Sequence, residues 1–277
     1  MQDLRDSVVV ITGAASGIGA GLARALAREG ANLVLADIRD PGAVAAECGS
    51  RGIRVISVQC DVGDRAAMDA VAERAYQAFG KVNLLCANAG VVAFAPLLQT
   101  PPEQWERAIR VNFFGVLNTA MAFVPRMREQ RDERHLVVTA SGAGLIASNV
   151  LPTGAYCASK FAAVGFAEQL RLELEPDGVG VTILCPGSVK TGILDTAEYA
   201  PEVTHLRPKA PGGPTPGREH VRRMDPADVA RLVLKGIREN APYVITHPEM
   251  QPGLEARFGA QLAACGKTRA ALGLAAV

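Results

Sequence analysis

The stretch SVVVITGAASGIGAG (residues 7–21) sets a short apolar run directly against a cluster of glycines. An unbroken run such as Val8-Val9-Val10-Ile11 suits a strand buried on both faces, because a half-buried strand would alternate apolar and polar side chains. Behind it, Thr12, Gly13, Gly17 and Gly19 mark a sharp turn into a helix from about Gly17 to Glu29, which stops at Gly30. Glycine lets backbone N–H groups approach an anion at a helix N-terminus, where the macrodipole favours negative charge. A nucleoside-triphosphate loop would need Gly-Lys-Ser/Thr here, and Ile18-Gly19-Ala20 does not supply it. The turn therefore predicts a dinucleotide pyrophosphate as its ligand. At the end of the next strand, ANLVLAD (31–37), Asp37 lies eighteen residues beyond Gly19, about where an acid meets an adenosine ribose. The alternative reading of Asp37 is a solvated strand-end carboxylate.

Outward from that unit, strands and helices keep alternating. A helix is predicted near 41–51, a strand at IRVISVQCD (53–61), and a helix from Asp64 to Phe79 that ends at Gly80. KVNLLCANAG (81–90) is the fourth strand, followed by one long helix from Pro102 to Glu129 and a fifth strand, RHLVVTASG (134–142). The next helix starts near Thr153, a plausible N-cap, and must end by Glu175 because Pro176 follows. VGVTILCPG (179–187) is the sixth strand, residues 200–217 form a Pro/Gly-rich loop, Asp225 caps a helix to about Glu239, and APYVITHPE (241–249) is the seventh strand. The pattern predicts an α/β protein: a single doubly wound Rossmann-type domain over 1–277, with a seven-stranded, mainly parallel sheet flanked by helices on both faces. Residues 192–224 are expected to form a lid over the substrate and 247–277 a C-terminal extension; a loop so long and aperiodic is more than a connector.

Composition narrows the function. The 277 residues are 49% hydrophobic, enough for a large core, and 29 basic residues face 28 acidic ones. Scattered charge without a reading motif argues against nucleic acid or anionic lipid as a partner. Six cysteines stand singly and four histidines lack ligand spacing, so no metal site is expected, and reduced thiols in a cytoplasmic protein are. Acids among the first residues argue against a signal peptide, and no apolar run is expected to reach the roughly 20 residues of a membrane span.

The glycine spacing, with Gly13, Gly17 and Gly19 in a Gly-x-x-x-Gly-x-Gly pattern, resembles the short-chain dehydrogenase/reductase family, and six further motifs follow in register. Cys60-Asp61-Val62 looks like the family's adenine-contacting turn. Ala87-Asn88-Ala89-Gly90 is similar to its Asn-Asn-Ala-Gly motif, with alanine in place of the first asparagine. VNFFG carries Asn112, TASGAG carries Ser141, YCASK carries Tyr156 and Lys160, and PGSVKT (186–191) looks like the turn that closes over a nicotinamide. The resemblance implies NAD as cofactor, held by Gly13, Ser16, Gly17, Ile18, Gly19, Asp37, Asp61, Val62, Asn88, Ala89, Gly90, Tyr156, Lys160, Pro186, Gly187, Val189 and Thr191.

It also implies a catalytic set of Asn112, Ser141, Tyr156 and Lys160. Oxidising an alcohol with a nicotinamide requires a base for the hydroxyl proton. Tyr156 as phenolate can take that proton, with Lys160, one helical turn on, and the positive nicotinamide ring lowering its pKa. Ser141 can hydrogen-bond the substrate oxygen, and Asn112 can hold a water linking Lys160 to solvent. Ser141 precedes Tyr156 by fifteen residues, two more than the commonest family spacing, so Ser148 is a rival. The apolar segments VVAFAPLL (91–98), GLIASNVLP (144–152) and GIL (192–194) correspond to the family's substrate cleft and imply a largely apolar substrate. The ending YVITHPE followed by ARF looks like a bacterial subset that oxidises bulky secondary alcohols. An NADPH-dependent carbonyl or 3-oxoacyl reductase is the alternative enzyme, and a non-catalytic dinucleotide sensor the alternative class.

At the second strand's end, Ile38 offers no cation for a 2′-phosphate, whereas Arg39 does. Trp105, Ile109, Phe113, Leu117, Met121 and Val124 cover half of one helix, and Phe161, Val164, Phe166, Leu170, Leu172 and Leu174 nearly surround another. One sheet face can bury only one stripe of each helix, so a homotetramer or homodimer through these two helices is expected.

Overall fold

The chain is represented by a computed structural model that describes residues 1–147, 151–195, 197–199, 201–207, 209–210 and 221–274. Among these, nine strands occur: β1 (Val8–Thr12), β2 (Asn32–Asp37), β3 (Val55–Gln59), β4 (Leu84–Ala87), β5 (Ala93–Phe94), β6 (Arg134–Thr139), β7 (Val179–Cys185), β8 (Glu198–Tyr199) and β9 (Tyr243–Ile245). Seven of them form one sheet in the order β3-β2-β1-β4-β6-β7-β9, and every pairing is parallel.

The apolar run of β1 is buried on both sides, as its lack of alternation requires. Val8 and Val10 enter one core with Val34, Met68, Phe123 and Leu136, while Val9 and Ile11 enter the other with Leu26, Leu33, Leu35 and Val229. Helices α1 (Gly17–Arg28), α2 (Gly42–Gly49) and α7 (Pro226–Arg238) cover the second face. Helices α3 (Arg65–Phe79), α5 (Gly115–Glu129) and α6 (Gly154–Leu174) cover the first. Strand order reverses between β1 and β4, which opens a crevice at the carboxyl ends of the strands.

Several local expectations are revised. The single helix 102–129 is split into α4 (Pro102–Ile109) and α5 by a π-turn at Arg110–Phe114, closed by the Gly115 N–H donating to Arg110 O. By length and composition Pro102–Glu129 could cross a membrane, yet half of its most apolar window is buried inside the molecule. Thr153 and Asp225 stand at the N-caps of α6 and α7 as expected but make no side-chain cap bond, whereas Asp64 at the N-cap of α3 accepts from the Ala66 and Ala67 N–H groups. Thr153 stands at the N-cap of α6 with its hydroxyl turned to Leu151 O, and Asp225 instead pairs with Lys190 at 3.2 Å.

Two features went unforeseen. Strands β5 and β8 pair in a small sheet beside the crevice. The C-terminal extension contains helix α8 (Gln251–Ala271), which has no buried residue. Half of the 200–217 loop (200, 208 and 211–217), and Ser148, lie outside the described residues.

Candidate active site

The crevice is a cavity of about 1590 Å³, bounded at one end by the glycine turn and Asp37 and at the other by Phe94, Leu194 and Met250. A single ligand pocket usually measures roughly 300–1,000 Å³, so this one has room for a dinucleotide and a second molecule together.

At the phosphate end, the turn demands glycine. Gly13 has φ +68°, and a Cβ there would sit 2.8 Å from Ala89 Cα; a Cβ on Gly19 would lie 2.1 Å from Gly13 O. Any side chain at either position breaks the approach of β1, α1 and the Asn88–Gly90 segment. Thr12 and Asn88 hold that approach: Thr12 Oγ1 accepts from the Asn88 and Ala89 N–H groups at 2.9 and 3.1 Å, and Asn88 Nδ2 donates to Thr12 O. Ser16, Gly17 and Ile18 line the cavity where α1 begins.

Asp37 is buried, and its carboxylate accepts from the Ala15 and Arg39 N–H groups, each at 2.9 Å. Arg39 folds back across it, donating to Ser16 Oγ at 2.6 Å with its Nε 3.9 Å from Asp37 Oδ1. Both charges therefore face the same end of the crevice. Asp61 pairs with Arg110 at 2.8 Å, and Val62 lines the wall beside it.

Three of the four expected catalytic residues, Ser141, Tyr156 and Lys160, line the cavity together, and the fourth, Asn112, is buried behind its wall. Lys160 is buried and donates to Thr139 O at 2.9 Å; loss of hydration lowers its pKa to about 8. Tyr156 lies over it, with the ammonium 5.9 Å from the ring centroid. Burial raises the Tyr156 pKa, opposed by a hydrogen bond from the Ser141 side chain. Ser141 stands at the N-cap of a short turn, Gly142–Gly144, with its Oγ accepting from the Ala143 N–H at 3.1 Å.

Asn112 sits in the π-turn, fully buried. Its amide donates to Val91 O (3.0 Å) and Ser159 Oγ (2.9 Å), and its Oδ1 accepts from the Val91 N–H (2.8 Å). The side chain thus clamps the segment after β4 to the base of α6. A Cβ on Gly90 would lie 3.2 Å from Asn112 Oδ1 and 3.3 Å from Lys160 Nζ, so glycine keeps that point clear of a side chain.

Beyond β7, the Gly187 N–H donates to Thr246 Oγ1 at 3.1 Å and to His247 Nδ1 at 3.3 Å, while Val189 and Thr191 line the wall. A Cβ on Gly142 would come within 2.4 Å of Met250 Sδ, which makes the thioether part of the wall beside Ser141. Sequence reasoning missed both His247 and Met250. The available signal was position, since ligands gather at the carboxyl ends of parallel strands and both residues follow β9. A third apolar cluster joins Val92, Phe94, Ala95, Ala197 and Val203; Phe94 stacks on Tyr199 at 4.8 Å, and Arg107 ion-pairs with Glu198. Among the described residues no three His, Cys, Asp or Glu side chains are grouped to hold a metal ion.

The chain as a whole has relatives among known proteins. The sequence model of the short chain dehydrogenase family matches residues 7–201. The C alpha-dehydrogenase of Sphingobium sp. is 34% identical over 273 residues, spanning 94% of this chain and 87% of that protein. The 1-deoxy-11-beta-hydroxypentalenate dehydrogenase of Streptomyces exfoliatus is 34% identical over 260 residues, spanning 92% and 88%. Among solved structures, a short chain dehydrogenase/reductase from Burkholderia phymatum in complex with NAD is similar with a TM-score of 0.81 at 35% identity, covering 94% of this chain and 95% of that one.

Proposed function

The chain belongs to the short-chain dehydrogenase/reductase family, and from that premise we propose that it is an NAD-dependent dehydrogenase of bulky, largely apolar secondary alcohols, reversibly reducing the ketones. The observation that carries this reading is the meeting of Tyr156, Ser141 and Lys160 at the junction of a glycine cradle and an apolar cleft. Bound NAD would supply the hydride acceptor. Gly13 to Gly19 hold the pyrophosphate, Asp37 the adenosine ribose, Asp61 and Val62 the adenine, and the Asn88–Gly90 and Pro186–Thr191 segments the nicotinamide end.

The residues divide the chemistry as follows. Ser141 hydrogen-bonds the substrate oxygen and orients it towards the Tyr156 hydroxyl. Tyr156 exchanges the proton: as phenol it donates to a ketone oxygen in reduction, and as phenolate it accepts from an alcohol in oxidation. Lys160, with its pKa near 8, stabilises the phenolate while charged. Asn112 positions the segment around Gly90 through both its bonds to Val91, and a water held beside Lys160 passes the proton outward.

Residues 192–224 act as the lid, with the Phe94–Tyr199 stack and the Arg107–Glu198 pair as its latch. The enzyme works in the cytoplasm, and residues 1–277 make up one Rossmann-type domain. It assembles as a homotetramer or homodimer through α4–α6, where Phe114, Met121 and Leu172 are exposed. Arg39 favours a second reading, an NADPH-dependent reductase, because its guanidinium already lies at Ser16.

The test is fluorescence titration with NADH and NADPH, then turnover on a panel of secondary alcohols and ketones. Tighter NADH binding with NAD-dependent oxidation of benzylic or alicyclic alcohols supports the first reading, and NADPH-dependent ketone reduction the second. Binding without turnover on any member of the panel would sink both in favour of a dinucleotide sensor.

A further inference from the structure

Two residues of the π-turn at Arg110–Phe114 serve different parts of the crevice, because residues two apart on a helix do not share a face. Asn112 bonds Val91 and Ser159 near the reacting groups, whereas Arg110 reaches the turn after β3. There its Nη1 donates to Asp61 Oδ2 at 2.8 Å, and the Gly63 N–H donates to Oδ1 of the same carboxylate, also at 2.8 Å. One anchor would leave the carboxylate free to swing about it. Two anchors, one on each oxygen, fix its plane.

The turn is shaped around the guanidinium. A Cβ on Gly63 would lie 2.6 Å from Arg110 Nη1, 3.0 Å from its Cγ and 3.1 Å from its Cζ, so the arginine fills the space that a side chain at 63 would take. Val62 is fixed from the other side. A Cβ on Gly115 would come within 2.6 Å of Val62 Cγ2, and the buried Asn118 donates to Val62 O at 3.0 Å. The Arg110 side chain is 44% exposed, and an ion pair so open to water contributes little to stability. What it supplies is orientation. Asp61, Val62 and Arg110 all line the cavity, and a carboxylate offers about four acceptor sites, of which these two bonds use half. An oriented acceptor beside an apolar valine suits the edge of a planar base that presents an N–H donor, as adenine does with its 6-amino group.

We infer that Arg110 is the positioning residue of the adenine site: through the ion pair it holds Asp61 in the orientation that accepts from the 6-amino group, and so selects adenine over a base with a carbonyl at that position. This role rests on the proposed dinucleotide chemistry and deepens it.

The test is fluorescence titration with NADH and with its reduced hypoxanthine analogue, in which a carbonyl replaces the 6-amino group. The wild type is expected to bind NADH about tenfold or more tighter, the weight of one hydrogen bond to a charged acceptor, and Arg110→Met to bring that ratio to about threefold or less. Gly63→Ala displaces the guanidinium without removing it and should narrow the ratio in the same direction; it decides if Arg110→Met does not fold. In an Asp61→Ala background, Arg110→Met should change neither affinity further, because a residue that acts through Asp61 has nothing left to hold. A wild type that binds both dinucleotides equally, or variants that keep the full ratio, would overturn the inference and leave NAD binding intact. A further loss in the Asp61→Ala background would put Arg110 on the cofactor itself and end the positioning role. A wild type that binds neither dinucleotide would defeat the proposed function as well.

Discussion

Tyr156 and Lys160 are neighbours whose pKa values are moved by the same cause in opposite directions. Burial disfavours charge on either, so the phenol is held up and the ammonium brought down to about 8. At neutral pH the site thus starts with a protonated Tyr156, ready to donate to a ketone, and oxidation needs the phenolate. Alcohol oxidation should therefore rise from pH 6 towards alkaline pH while ketone reduction falls; a flat oxidation profile counts against Tyr156. Tyr156→Phe should cut turnover by roughly 10²–10⁴ while NADH binding survives, and a variant with a third of wild-type activity would refute the assignment. Asp37 raises the matching question for the cofactor. Its buried carboxylate can accept from a ribose hydroxyl but opposes a 2′-phosphate. Unit charges about 4 Å apart repel by roughly 4 kcal/mol at an effective dielectric near 20, and half of that already exceeds tenfold in affinity. NAD should outperform NADP at least tenfold in kcat/KM, and Asp37→Ser should narrow that gap. A wild type that prefers NADP would mean that Arg39, already seated on Ser16, outweighs Asp37.

Among the elements, two built at the cleft's edge set what enters it. Met250 follows β9 and lays its thioether on Gly142 beside Ser141, so Met250→Ala opens the wall at the reacting end. We expect kcat/KM to rise for alcohols with larger substituents and to fall for small ones, by roughly 10- to 200-fold for each methylene-sized contact. Equal changes across a size series would remove Met250 from the specificity wall. On the opposite side, the β5–β8 pair joins the segment after Gly90 to the lid. Hydrogen exchange at 192–199 should slow when cofactor and a ketone analogue bind together; unchanged exchange would make this segment a static excursion. The π-turn explains why Asn112 could be named from the sequence but its contacts could not. A continuous α-helix was the natural reading of 102–129, and only the extra residue in one turn aims the amide at Val91 and Ser159.

In the whole molecule, His135 illustrates a stability term unrelated to catalysis. Fully buried in β6 and paired with Thr182 Oγ1 at 2.8 Å, its pKa falls from 6.5 to about 3, first by burial and then by the N-terminal ammonium and Arg171. The unfolded chain takes up this proton below about 6.5 and the folded one does not until about 3. The stability is complete above 6.5 and is lost as pH falls through that window, by at most about 1.4 kcal/mol per pH unit. The slope of Tm against pH between 6.5 and 4 should be shallower in His135→Gln; equal slopes would show that His135 does not titrate on unfolding. The sheet, its strand sequence and the cofactor cradle were legible along the chain because each rests on local rules: unbroken apolar runs for doubly buried strands, and glycine where φ is positive or backbones touch. The candidate site was legible in its motif residues for the same reason. Contacts between segments far apart in sequence were not legible. The direction of the Tyr156 shift, the fold-back of Arg39 onto Ser16, Met250 beside Ser141 and the bare face of α8 all depend on which groups folding brings together and which it strips of water, and no local pattern in the chain encodes that distance or that burial.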